Sequence, residues 1–230
     1  MSEYKPLQNV AYDYLRDMIY SRELEFDKIY SETRLATQLS ISRTPIRDAL
    51  NRLARERYID ILPNRGFMLH KPNAADVNEA YHIRMMIENY CAALIAKDHK
   101  KKAAKAIVAK MQQALDEQCK LLDSQEAPDL RQFWIEDQKF HYALLEYLNI
   151  SAFNIQYDSF LHIFMPQHLG SDVVVGRNHS TIPEHRAIIK ALSEGDVEKV
   201  GVAIRKHLNT SVKLMMLNPD LNQDTINANG

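Results

Sequence analysis

Apolar residues recur along this chain at helical spacing almost everywhere except in one short stretch. Tyr12, Leu15, Met18, Ile19 and Leu24 define an amphipathic helix over about residues 7–22. Ser31 is placed to cap a short helix carrying Leu35, Ala36 and Leu39, with Glu32 in its first turn. Ser42 opens a further helix, RTPIRDALNRLARER, whose stripe is Ile46, Ala49, Leu50 and Leu53. Pro45 falls in its first turn, where a missing N–H is tolerated. The period then changes. Tyr58–Leu62 and Phe67–His70 read as two short strands around the turn Pro63-Asn64-Arg65-Gly66. Three helices followed by a hairpin predict a winged helix-turn-helix.

Lys71-Pro72-Asn73 reads as a linker, and Asn73 is placed to cap the next helix with Asp76 three residues on. Beyond it the 3.6-residue period predicts six helices, near 74–98, 104–123, 128–147, 152–168, 180–193 and 196–214. Breaks are expected near Pro128, Asn149-Ile150-Ser151, Gly170, Pro183 and Gly195. The fold class is therefore mainly α: an N-terminal winged helix-turn-helix with a small β-hairpin, then a C-terminal all-α helical bundle. The expected domains are 1–72, the winged helix-turn-helix, and 73–216, the all-helical unit, with a polar, flexible tail at 217–230.

Composition narrows the function. With 46% hydrophobic and 26% charged residues, the chain is not a disordered or low-complexity protein. Six glycines leave neither a P-loop nor a dinucleotide fingerprint. No apolar run approaches the ~20 residues that span a bilayer, and the first residues carry no signal-peptide pattern. Cys91 and Cys119 cannot build a disulfide framework. These features predict a protein of the reducing cytoplasm with no membrane partner. The net charge of −1 hides a basic stretch: residues 34–71 hold eight Lys and Arg against three Asp and Glu. A local basic stripe on a near-neutral chain points to a polyanion.

A helix-turn-helix reads the major groove with the N-terminal end of its second helix. Ser42, Arg43, Thr44 and Arg47 occupy that end, and Arg43 and Arg47, four apart, share a face. An arginine fork bonds guanine O6 and N7 together or clamps a phosphate, and a helix N-terminus attracts phosphate by itself. Arg34 on the preceding helix and Arg65 at the wing tip are placed to hold the backbone, with Gly66 permitting close approach. Over nearly all of residues 8–70, LxxxLxISRTPIRDALNRLxxERYIxxxPNRGF resembles the winged-helix domain of the GntR family of bacterial transcriptional regulators, SRTPIRDAL being its specific part. The resemblance implies operator contacts by Arg43, Thr44, Arg47 and Gly66. It also places Thr33 where FadR-like members often carry a DNA-contacting arginine, with Arg34 next along. Phe26-Asp27 replaces the Pro-Gly usual after the first helix, and Arg57 replaces the glycine usual before the wing strand.

The helical region carries polar residues where its pattern demands apolar ones. Asp137 and His141 interrupt the stripe Phe133, Phe140, Leu144, Leu148. His185 lies on the stripe of Ile188, Ile189 and Leu192, and His207 on that of Val200, Ala203 and Ile204. A buried carboxylate is costly unless paired or bound to a metal. His185 stands 10 residues before Gly195 and His207 stands 12 after it. At ~1.5 Å per residue an antiparallel pair brings the two level, about 15–18 Å from the turn. One Asp and three His suit a divalent metal ion, zinc or nickel foremost, with room for a ligand.

DQKFHYALLEYLNIS and EHRAIIKALSEGDVEKVGVAIRKHL resemble the FCD ligand-binding domain of FadR-like GntR regulators, over about residues 76–216. In metal-binding members the corresponding ligands map onto Asp137, His141, His185 and His207. The resemblance implies a small organic acid effector beside the metal, with Arg84 turned toward that cavity and Glu88 one turn on; an Arg84–Glu88 ion pair is the alternative. His162 and His168 are further candidate cavity residues, whereas His82 and His179 lie on no such stripe. The combined reading is a metabolite-responsive regulator that binds double-stranded operator DNA as a homodimer, more often a repressor in such families. The competing readings are a metal-dependent enzyme using the Asp/His3 set and a redox sensor at Cys91 or Cys119.

Overall fold

The computed structural model describes residues 5–21, 23–123, 129–161, 163 and 171–216. The chain divides into two compact units, Met1–Lys71 and Pro72–Gly230. In the first, α1 (Leu7–Tyr20), α2 (Glu32–Gln38) and α3 (Arg43–Arg55) precede β1 (Ile59–Leu62) and β2 (Gly66–Leu69). Ala11, Leu15 and Ile19 of α1 pack with Leu35 of α2 and with Ile46, Leu50 and Leu53 of α3 in one core, closed by Ile59 and Phe67 of the hairpin. Leu24 belongs to this core but lies beyond the end of α1, so the first helix stops short of residue 22. Ser31 caps α2 by accepting from Arg34 N, whereas Ser42 opens α3 without a side-chain capping bond.

The strands pair antiparallel, with Ile59 opposite Leu69 and Leu62 opposite Gly66. Tyr30 adds a bridge to Phe67, exchanging both backbone bonds with it at 2.7 and 3.0 Å. Gly66 therefore runs against the Tyr30 backbone at φ +123°, and a Cβ there would stand 2.0 Å from the Tyr30 carbonyl oxygen. Only glycine fits this place. The wing's aim over α2 and α3 depends on it.

The second unit is helical: α4 (Ala74–Lys97), α5 (Lys102–Asp123), α6 (Leu130–Glu146), α7 (Ser151–Leu161), α8 (Ser171–Glu194) and α9 (Val197–Met216). Asn73 caps α4 in a full capping box, its side chain accepting from Ala75 N and Asp76 N while Asp76 accepts from Asn73 N. Helix α4 packs on α9, α5 on α6 and α8, and α8 on α9. Ile95, Met111, Phe140, Leu192 and Ile204 meet in the shared core.

Two expectations need correction. The helix expected to start at 180 begins by Ser171, and Pro183 lies inside it rather than ending it. A proline removes one i→i−4 bond, at a cost of ~3 kcal/mol in an isolated helix. Here Ile182, Ile188 and Leu192 are buried on the same helix, and that packing outweighs the loss. The helix expected over 152–168 is α7, Ser151–Leu161. His162, His168, Pro128, Gly170 and the tail 217–230 lie outside the described residues.

Candidate DNA interface and candidate metal centre

In the first unit the side chains of α2, α3 and the wing surround one concavity. Ser31, Glu32, Thr33, Arg43, Arg47, Asn64, Arg65 and Gly66 line it. Five residues singled out from the sequence, Thr33, Arg43, Arg47, Arg65 and Gly66, are thus brought together. Arg34, Ser42 and Thr44 are exposed but are not among the lining residues. The side chains of Arg43 and Arg47 are 62% and 67% exposed. Both forks meet the same carboxylate: Glu32 Oε2 lies 3.4 Å from Arg43 Nη2 and 3.7 Å from Arg47 Nε. The sequence placed Glu32 only as a first-turn acid, ordinary at a helix start, and gave no sign that it meets these arginines.

In the second unit three helices deliver one histidine each to a dry centre. His141 comes from α6, His185 from α8 and His207 from α9, with at most 2% exposure. One ligand atom from each lies within 4.8 Å of the others, and Nε2 of His141 and of His207 are 3.0 Å apart. The hairpin between α8 and α9 does bring His185 and His207 level; their rings are 4.7 Å apart between centroids. Asp137 stands at the edge of this cluster, one-fifth exposed, with Oδ1 3.6 Å from His185 Nε2 and Oδ2 3.9 Å from His141 Nε2.

The other ring nitrogens are all occupied. His141 Nδ1 is 2.8 Å from Glu88 Oε2, His185 Nδ1 2.9 Å from Gln118 Oε1, and His207 Nδ1 3.0 Å from Glu184 Oε2. His141 and His185 meet oxygen acceptors through Nδ1 and so donate outward, leaving Nε2 toward the centre, whereas His207 Nδ1 also lies 3.0 Å from the Arg177 Nη2 donor. Phe140 stacks flat on His185 at 3.7 Å and holds that ring's plane. Burial, then the neighbouring histidines, pushes His185 and His207 well below the usual imidazole range. Burial works against the charge of Glu88, but Arg84 and His141 beside it hold its carboxyl well below the ordinary range.

This arrangement fits a divalent cation. His185 Nε2 is buried without a hydrogen-bond partner, and the Nε2 atoms of His141 and His207 meet beside it at 3.0 Å. Imidazole nitrogens converging in a buried site are the donor set that zinc and nickel take.

Partners that the sequence reading missed surround the histidines. Gln118 is fully buried and also bonds Asp137 Oδ1 through Nε2 at 3.4 Å. It interrupts the apolar stripe Ala104, Ile107, Met111, Ala114 of α5, the same signal that drew attention to Asp137. Arg177 pairs with Glu184 at 2.7 Å and reaches Ser211 Oγ at 2.9 Å. It was hidden because the helix was expected to start at 180, which left residue 177 outside it. Arg84 bonds Glu88 Oε1 at 2.7 Å, the ion-pair alternative, and lies over the Tyr157 ring. His82 and His179 are exposed. Cys91 is buried in the core, and burial raises its thiol to about 11, an unreactive environment.

A winged helix-turn-helix with an arginine-lined concavity, joined to a helical unit with a buried histidine cluster, defines a DNA-binding regulator. Residues 7–69 match the bacterial regulatory proteins of the gntR family and residues 79–210 match the FCD domain, and the chain belongs to the GntR regulators with a C-terminal FCD domain. It is 27% identical over 202 residues to an uncharacterized HTH-type transcriptional regulator of Streptomyces ambofaciens, covering 84% of this chain and 78% of that one. It is 26% identical over 190 residues to the HTH-type transcriptional repressor RspR of Escherichia coli, covering 77% and 75%. The fold is similar to that of Escherichia coli McbR/YncC, with a TM-score of 0.68 at 18% identity over 93% of this chain and 98% of that one. The chain is a transcriptional regulator and not an enzyme. No helix among the described residues is long and apolar enough to cross a membrane.

Proposed function

We propose that this regulator binds double-stranded operator DNA as a homodimer in the cytoplasm, and that a small organic acid, acting at a metal-containing pocket in the helical unit, controls it. Arg43 and Arg47 read base edges from the start of α3, with Ser42 and Thr44 adding short hydroxyl contacts. Thr33, Arg34, Arg65 and the Gly66 backbone hold phosphates on either side. Two copies double the phosphate contacts that one small domain offers and read two half-sites. The repressor description of the Escherichia coli relative favours repression.

The observation that carries the sensing half is the convergence of three buried imidazoles, each with its Nδ1 hydrogen-bonded from behind. His141, His185 and His207, with Asp137 at the open edge, would hold the ion, and zinc or nickel suits these donors. A bound ion supplies a fixed positive charge for an effector carboxylate. Arg84 sits behind Glu88 in the same network and adds positive charge to it. The test is elemental analysis after supplying zinc or nickel, followed by titration of organic acids against a bound duplex. One ion per chain and acid-dependent release are expected. A well-folded protein that takes up neither metal refutes the pocket and leaves the DNA-binding assignment standing.

A further inference from the structure

Glu32 is the first residue of α2, yet its carboxylate does more than face that helix's N-terminus. One of its oxygens sits between the forks of Arg43 and Arg47 on α3. The Glu32 side chain is only 18% exposed, whereas both arginines stand largely in solvent. Ion pairs to groups so exposed add little to folding, because water and salt screen them. Stability therefore does not account for a carboxylate placed across two reading arginines.

We propose that Glu32 is a specificity-determining residue that stands, in the free protein, where a DNA phosphate would stand. This rests on the reading of Arg43 and Arg47 as DNA contacts. The two ligands an arginine meets on DNA differ in charge. A phosphate is an anion and must displace or repel the Glu32 carboxylate to reach either fork. A guanine edge is neutral and offers O6 and N7 without that repulsion. Arg47 meets Glu32 through Nε, which leaves the Nη1/Nη2 edge of its fork for a base. Glu32 thus taxes phosphate contact, which is the same for every sequence, and spares base contact. It lowers non-specific affinity more than specific affinity.

The experiment uses the full chain and two duplexes of equal length. One carries a site selected by the wild-type protein from a random library, and the other is its scrambled sequence. Affinities are measured over a salt series for wild type, Glu32→Gln, Glu32→Asp and the Arg43/Arg47 double alanine variant. Glu32→Gln is expected to bind the scrambled duplex about tenfold tighter. Its log–log salt slope on that duplex should steepen by about one. The selected duplex should gain threefold or less, so the specificity ratio falls. Glu32→Asp keeps the charge and should leave scrambled-duplex affinity at the wild-type level. Equal shifts on both duplexes, or no shift on either, overturn the proposal. Wild-type affinities for both duplexes in the double alanine variant overturn instead the base-reading assignment beneath it.

Discussion

The two sites are built on opposite physical terms. The proposed DNA-reading face lies within residues 31–66, its arginines are exposed, and its parts are set by turns and caps close in sequence. The histidine centre draws on five helices, with partners from Glu88 to His207, and its rings are buried. An exposed site tolerates charge because water screens it, so its residues act on partners and hardly on folding. A buried site has no such freedom, and each of its polar atoms must be paired or must bind something. Losses should therefore separate: the first site loses function with the fold intact, the second loses stability and function together.

The largest effect that would break this contrast concerns metal. If the centre holds an ion, supplying it at a thousandfold its dissociation constant stabilises the native state by about 4 kcal/mol. His185→Ala should abolish that gain, read as the zinc- or nickel-induced rise in Tm. A variant that keeps the full rise removes His185 from the ligand set. Operator binding by metal-free protein should survive the substitution, since His185 and the reading face lie in separate units.

Next in size is the exposed counterpart. Arg43/Arg47 double alanine should weaken binding to a selected operator by ~1–3 kcal/mol for each arginine that pairs bidentately with a base. Its folding stability should stay within about 1 kcal/mol of wild type, because the pairs to Glu32 are solvent-screened. A fall in Tm comparable with that of a core variant would show that the face is structural.

Acid sharpens the contrast further. His185 and His207 are held neutral by burial first and neighbouring positive charge second. An unfolded imidazole titrates near pH 6.5. Below that the unfolded chain takes up protons that the folded chain refuses, so stability is whole above about pH 6.5 and falls as the pH drops toward the depressed native values. Each such group costs up to ~1.4 kcal/mol per pH unit, or about 3 kcal/mol for the pair at pH 5.5. Thermal unfolding in chelator between pH 7.5 and 5.5 measures this. A flat profile would mean that the rings are not held neutral.

How legible each site was follows from the same contrast. Arg43, Arg47, Arg65 and Gly66 sit in one short run whose caps, turn and period are local, so helix and wing could be read directly. The pairing of Glu32 was missed there because its partner lies across a turn, not along its own helix. In the helical unit a polar residue inside an apolar stripe betrayed Asp137, His141, His185 and His207. The same rule, applied to α5, would have found Gln118. Arg177 was out of reach, because the local pattern starts that helix at 180 and only the fold extends it back to Ser171, whereas Glu184 lay inside the expected helix beside His185 with no signal of its own.

The smallest effect tests whether local strain also belongs to the reading unit. Asp27, Ser40, Arg57 and Asn64 adopt positive φ there, against Asn149 in the helical unit. At two of these, Asp27 (φ 62°) and Arg57 (φ 58°), the related pattern carries glycine, and the backbone has kept the glycine-favoured conformation without it. A left-handed L-residue costs ~1–2 kcal/mol, less for Asp, whereas glycine adds ~0.5–1 kcal/mol of unfolded-state entropy. Asp27 is exposed, so Asp27→Gly is expected to stabilise by up to ~1 kcal/mol, a rise of a few degrees in Tm. Asn149→Gly should gain less, because asparagine already tolerates this conformation. Operator affinity should not change with Asp27→Gly, as residue 27 does not line the reading concavity. A loss of stability would show that the Asp27 side chain holds the turn after α1 by more than its backbone.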